Sequence, residues 1–463
     1  MRNRWLVLAS LLMAFALVAT ACGDDDATTT TAAPATTTTA GATTTSPSTT
    51  TPPPETTFDI GVTPAPCPDA ENEGNGCIYL GVISDLVDGP FAPLGVPLTL
   101  AQEDFWRSIN AGGGLDGWDV VITAENTFDA HYDGAQTVEG ATALSGRVAA
   151  LAQSLGTPQT QAALPILVEN NMVAAPATWW SGWAFADVDS GLILESGAPY
   201  CFEAMNGMSA MVDALGAEIT WALVAFPGDY GGDYGAGAKI AAAQLGLGDP
   251  VADILQIPLS AGGDVTEAVT TLLGAQPNLI VVVTGPSEMA QITGGLFTNG
   301  FQTFQILGAS PTWNVALTGN ADLLPLLQAT YWGTTPWGGW DTDSAAHADM
   351  RAAADANERS PHGAYVAGWV WQYPIKALLE QAIASNDLTR ANLAAIAAEL
   401  DGVSYDGALP DRDYTGDPND HVVRSTTINR VDPASSDGLT AVTDATISEI
   451  AAAYEFASPC FVG

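Results

Sequence analysis

The apolar positions of this chain change their rhythm several times. From position 5 to 18 they form one greasy run behind Arg2 and Arg4, closing on Ala19-Thr20-Ala21-Cys22. A basic start, a short apolar core and small residues before a cleavage point describe an export signal. The run of about 14 residues falls short of the roughly 20 that a spanning helix needs. Asp24 to Asp26 then open a tract of threonine, alanine, proline and serine reaching about Thr57. No periodicity there could bury a core, so the tract reads as a disordered tether.

From Cys77 onward short apolar runs alternate with helical patterns. Strands are expected over 78–83, 118–123, 149–153 and 172–175. Between them fall helices over 98–110, 135–147 and 158–170, the first with Leu98, Ala101, Phe105 and Ile109 on one face and a stop at Ala111-Gly112-Gly113-Gly114. The alternation restarts with strands over 220–226, 251–257, 279–284 and 304–307 and helices over 235–245, 265–273 and 287–298. Such spacing predicts parallel sheets with helices on both faces. Two successive doubly wound units predict an α/β protein of two Rossmann-like lobes joined by a hinge, with a cleft at the carboxyl ends of the strands. The expected division is a signal peptide over 1–21, the tether over 22–58 and a disulfide loop over 59–77. One lobe then takes 78–206 with 333–415, the other 207–332 with 416–463.

Charge narrows the partners. The net charge is −40 with only 12 basic residues, two of them the lysines Lys239 and Lys376. That field repels nucleic acid and anionic membranes. The acids are spread over the whole chain, which suits solubility better than attraction of a cationic solute. His131, His347, His362 and His421 lack zinc spacing. Asp411, Asp413, Asp417, Asn419 and Asp420 lack the glycine and glutamate of a calcium loop. Gly112-Gly113-Gly114 follows a helix, not a strand, and so is a turn, not a dinucleotide fingerprint. No nucleophile elbow stands before a catalytic histidine. No cofactor, metal or enzymatic activity is expected. In an exported chain four cysteines favour disulfides. Cys67 and Cys77 flank a polar loop and can pair locally, leaving Cys201 for Cys460, although three pairings are open.

The end of the signal resembles that of bacterial lipoproteins, which implies lipidation of Cys22 and a membrane anchor. Asp88-Gly89-Pro90 with Gly95, Asn110-Ala111-Gly112-Gly113 with Gly117, Gly156-Thr157 through Glu169 to Pro176, Asp229-Tyr230-Gly231, Glu288-Met289 and the stretch from Tyr365 to Trp371 follow one another in an order that resembles the Leu/Ile/Val-type solute-binding proteins of ABC transporters. The resemblance covers about Ile78 to Asp432 and implies the type I periplasmic-binding fold. It also implies a monomer that hands a compact solute, such as an amino acid or amide, to a membrane permease; an extracellular sensor or hydrolase is the alternative. It puts a carboxylate on Gly156 and Thr157 at a helix start. A ligand hydroxyl contact falls on Thr178, or Trp179 walls the pocket there, and Tyr230 meets the ligand side chain, with Tyr234 as the competing choice. Amino-acid binders of the family use a tyrosine and an acid where this chain has Gly285 and Ser310. A buried ammonium without an anion is costly. Either another acid, Asp85 or Asp341, reaches the site, or the ligand lacks a free amino group. Trp313, Trp332, Trp337 and Trp340 crowd the nearby strand ends and suit an apolar, aromatic or amide-like guest.

Overall fold

The computed structural model describes residues 56–463. The export signal over 1–21, Cys22 and all but the end of the expected tether lie outside the described residues.

The chain opens with β1 (Thr57–Phe58) and β2 (Val62–Thr63) and then builds a five-stranded sheet. Its long strands are β3 (Gly76–Ser84), β4 (Trp118–Asp129), β5 (Ala150–Leu155) and β6 (Ala174–Ala177). β3 pairs in parallel with β4 on one side and β5 on the other, and β6 lies beyond β5. β5 is buried along its whole length, as befits a strand covered on both faces. The covering helices are α1 (Ala92–Ala111), α2 (Gly134–Leu144) and α3 (Thr157–Glu169). This is lobe 1.

After a single turn, α4 (Ala186–Asp189), the chain crosses through α5 (Tyr200–Leu215) into a seven-stranded sheet. β7 (Trp221–Ala225), β8 (Ala252–Leu255), β9 (Leu279–Val283), β10 (Gln305–Gly308) and β11 (Tyr331–Thr335) run parallel. Leu279 to Val283 are all fully buried, which identifies β9 as the spine of lobe 2. Between these strands come α6 (Asp229–Gln244), α7 (Thr266–Ala275), α8 (Pro286–Thr298) and α9 (Leu324–Thr330). The chain then returns to lobe 1 for α10 (Ala345–Ala356), α11 (Gly363–Val370), α12 (Gln372–Ala384), β12 (Asp387–Leu388) and α13 (Arg390–Ala397). β12 pairs with β1. The last excursion adds β13 (Thr426–Val431) and β14 (Leu439–Thr446), antiparallel, to the β11 edge of lobe 2.

The elements read from the sequence lie near where expected, with three extensions, one of them α6, which begins six residues before the expected 235. α1 begins six residues earlier than the helix expected from 98, because Pro93 stands in its first turn, where proline costs no hydrogen bond. β4 runs on from Thr123 to Asp129 through polar residues that no apolar run announces. Disulfides join Cys67 to Cys77 and Cys201 to Cys460; the second ties the C-terminal end of the chain to α5.

Candidate functional site

β5 ends at Leu155 and the chain turns into α3 through Gly156, whose φ is +93°. A Cβ at that position would stand 2.2 Å from Gln159 Oε1, so only glycine fits. The device recurs in lobe 2, where Gly228, at φ +87°, leads into α6. A Cβ on Gly228 would lie 2.8 Å from Pro158 Cγ, so the two turns pack against each other across the cleft. Two helix N-termini therefore converge. Each brings first-turn amides without intrahelical partners and the positive end of its dipole.

A cavity opens beside them between the lobes. Its walls are mostly rings and aliphatic chains: Phe91, Leu94, Leu98, Tyr132 and Leu155 from lobe 1, Tyr230, Trp313 and Leu439 from lobe 2, and Trp179, Tyr200, Trp337 and Trp371 between. Trp179 stacks at 5.0 Å between centroids on both Trp337 and Trp371. Its indole N–H donates to the Ser196 carbonyl at 2.7 Å, so its polar edge is spent on the protein.

Polar groups are few and their partners are informative. Thr157 Oγ1 is hydrogen-bonded to Thr178 Oγ1, and the Tyr200 hydroxyl bonds to Thr178 as well. Burial drives the Tyr200 and Tyr230 phenols far above their usual range, so both keep their protons. The Tyr230 hydroxyl donates to the Thr284 carbonyl at 3.1 Å. On the opposite wall the Ser310 amide and hydroxyl both donate to the Glu203 carboxyl, at 3.3 and 3.1 Å, and Thr334 donates to it at 2.8 Å. Glu203 is fully buried, and desolvation pushes it up to about 8. Asp437, at the cavity wall, accepts from the Trp340 amide at 2.9 Å, and burial raises it too. His362 caps α11 through Nδ1, accepting from the Ala364 amide at 3.0 Å. Burial lowers it to about 4, which leaves a neutral imidazole.

A family model described as periplasmic binding protein matches residues 78–438. The chain belongs to the periplasmic binding protein family. Membership makes it an extracytoplasmic protein that binds a small solute and works with a transporter permease. Among solved structures it is similar to the fatty acid ABC transporter substrate-binding protein from Thermomonospora curvata, with 25% identity over 86% of this chain and 97% of that one and a TM-score of 0.74. A branched chain amino acid ABC transporter from Thermus thermophilus with bound valine shares the fold at 15% identity, covering 82% of this chain and 98% of its own, with a TM-score of 0.65. So does a solute binding protein from R. palustris in complex with 4-hydroxybenzoate, at 15% identity, 80% and 98% coverage and a TM-score of 0.64. No curated protein sequence matches the chain.

The cavity of this periplasmic binding protein gathers Gly156, Thr157, Trp179, Tyr230, Ser310 and Trp337. Thr178 stands one hydrogen bond behind Thr157. Gly285 opens α8 outside the cavity lining, beside the Pro90 carbonyl. Tyr234 is in the core, its hydroxyl bonded to Thr334. Asp85 spends its carboxylate on the Gly89 and Phe91 amides, and Asp341 on Ser436. Neither lines the cavity; the acid that does is Asp437. Sequence reasoning missed Tyr200, Glu203, His362 and Asp437, because nothing local distinguishes them from core or loop residues.

Proposed function

We propose that this protein captures an apolar or aromatic monocarboxylate between its lobes and delivers it, in the closed form, to the permease of an ABC importer, with lipid on Cys22 as its membrane anchor. The observation that carries the reading is the asymmetry of the cavity: two helix N-termini and the Thr157 hydroxyl at one end, and rings with inward-committed polar groups elsewhere. A carboxylate at the α3 start meets amides and a dipole of the right sign. Its apolar body fills the ring-lined remainder, worth roughly 25 cal/mol per Å² removed from water. An α-ammonium would face no acid at Ser310 or Gly285, and Asp437 already holds a backbone amide. The fatty acid ABC transporter substrate-binding protein from Thermomonospora curvata, named for an apolar carboxylate, lends support. Contacts from both lobes favour the closed population, which a permease can recognise.

The test is a thermal-shift comparison of the full chain with 4-methylpentanoate and leucine, which share a carbon skeleton and differ by the amino group. At a hundredfold excess over Kd, a ligand stabilises by about 2.7 kcal/mol. The carboxylate is expected to raise Tm and leucine to leave it in place. A larger shift with leucine overturns the reading.

A further inference from the structure

Beside the cavity lies an open apolar groove, also spanning both lobes. The two spaces are neighbours along α1, at 313–314, at 436–437 and at His362. Leu94 and Leu98 of α1 face the cavity, while Ala92, Val96 and Leu100 face the groove. Trp313 belongs to the first and Asn314 to the second, Asp437 to the first and Ser436 to the second, and His362 lines both. Across the rim the Asn314 side-chain amide donates to the Pro93 carbonyl at 3.1 Å, one hydrogen bond from lobe 2 to lobe 1.

The groove offers a headgroup little. Arg359 is committed to Asp104 at 2.7 and 3.2 Å, Asn314 to Pro93, and the Ser436 hydroxyl to Asp341 at 2.7 Å. What it does offer is apolar: Val87 is 71% exposed and Val96 41%. In a chain of net charge −40, exposed valines gathered beside a ligand cavity mark surface built for an apolar guest.

Resting on the carboxylate reading above, we infer that the groove is a second subsite that takes the unbranched alkyl tail of a long-chain carboxylate, whose head sits at Thr157 and whose chain passes His362 beneath the Asn314–Pro93 bridge. The ligand class is then a long aliphatic acid, and chain length is read by the groove. Each methylene buried there adds about fourfold in affinity.

Calorimetric titration of the full chain with butanoate, octanoate and dodecanoate tests this, alone and with Val96→Glu, a change at an exposed position of the groove. Affinity is expected to rise through dodecanoate, and Val96→Glu to weaken dodecanoate by about tenfold or more while butanoate moves less than about twofold, since a charge forfeits the burial of several methylenes. Should Val96→Glu fail to fold, Ala316→Asp on the facing wall serves the same purpose. A plateau at butanoate, or a dodecanoate affinity indifferent to a folded variant, overturns the subsite and leaves the carboxylate reading standing. Absence of binding at every length overturns that reading and the subsite with it.

Discussion

The two walls of the cavity differ in what they do with their polar groups. Lobe 1 points its polarity at the guest: a glycine turn, a helix N-terminus and a threonine hydroxyl stand at the lining. Lobe 2 turns most of its polarity inward. Ser310 gives both its hydrogens to Glu203, and the Tyr230 hydroxyl bonds the Thr284 carbonyl, so apart from the α6 start and Asp437 it is mostly rings and methylenes that lobe 2 turns to the cavity. The charge of the guest is therefore read where the two helix starts meet Thr157, and its shape chiefly by lobe 2. Neither alone distinguishes an apolar acid from its amino-acid analogue; the pair does.

The inward turn of lobe 2 has the largest measurable consequence. Glu203 is held near 8 by burial, against an ordinary 4.5. An acid whose folded value is raised favours the fold below its unfolded value, and that contribution is lost as pH rises through the folded one. Glu195, also near 8, and Asp189, near 7, act in the same sense from lobe 1. Stability should thus fall between about pH 5 and pH 8, with Glu203 accounting for a loss on the order of 2–4 kcal/mol. Glu203→Gln cannot ionise, so its unfolding free energy by urea should fall less steeply over that window. Equal slopes would show that Glu203 stays ionised in the fold.

The lobe 1 wall is tested by Thr157→Val, which keeps volume and removes the hydroxyl. A hydrogen bond to a charged group contributes about 1.5–3 kcal/mol, so the Kd for a carboxylate should rise about tenfold to a hundredfold. The matching neutral amide should lose less. Equal losses for both, by calorimetry, would place the head elsewhere.

How far the sequence foretold these walls depended on whether a feature is local. The parallel strands announce themselves because both faces are buried, as in Leu279 to Val283. The Gly156-Thr157-Pro158 turn is local chemistry and is equally readable. β14 was not legible: it is an exposed edge strand whose threonines and alanines show no buried face. Glu203 lies 107 residues from Ser310 in sequence, and only the packing of α5 under β10 and β11 joins them. Asp437 stands in the turn between the same late strands that periodicity missed. A departure was visible at Ser310, but its physical meaning, an acid moved behind the wall, needed the third dimension.

Asp437 gives the smallest and sharpest test, because it is the acid on the lobe 2 wall. It is 4% exposed and keeps the Trp340 amide at 2.9 Å. Asn at this position retains an acceptor for that amide and removes the charge. If the guest is a carboxylate, the wild-type anion repels it, and Asp437→Asn should tighten binding by a few-fold, about 1 kcal/mol. If the guest has an ammonium, the same change removes its nearest counterion and binding weakens instead. Burial raises Asp437 above its ordinary value, so the gap between wild type and variant should close in acid, where the side chain is protonated in both senses that matter: neutral and non-repelling. It should open as pH rises through the titration of Asp437. Titrations of 4-methylpentanoate and of leucine, with wild type and Asp437→Asn, at acid and neutral pH read the sign directly. A weakening of leucine binding that grows with pH would return the cavity to the amino acids, and a tightening of 4-methylpentanoate binding that grows with pH assigns it to their deaminated counterparts.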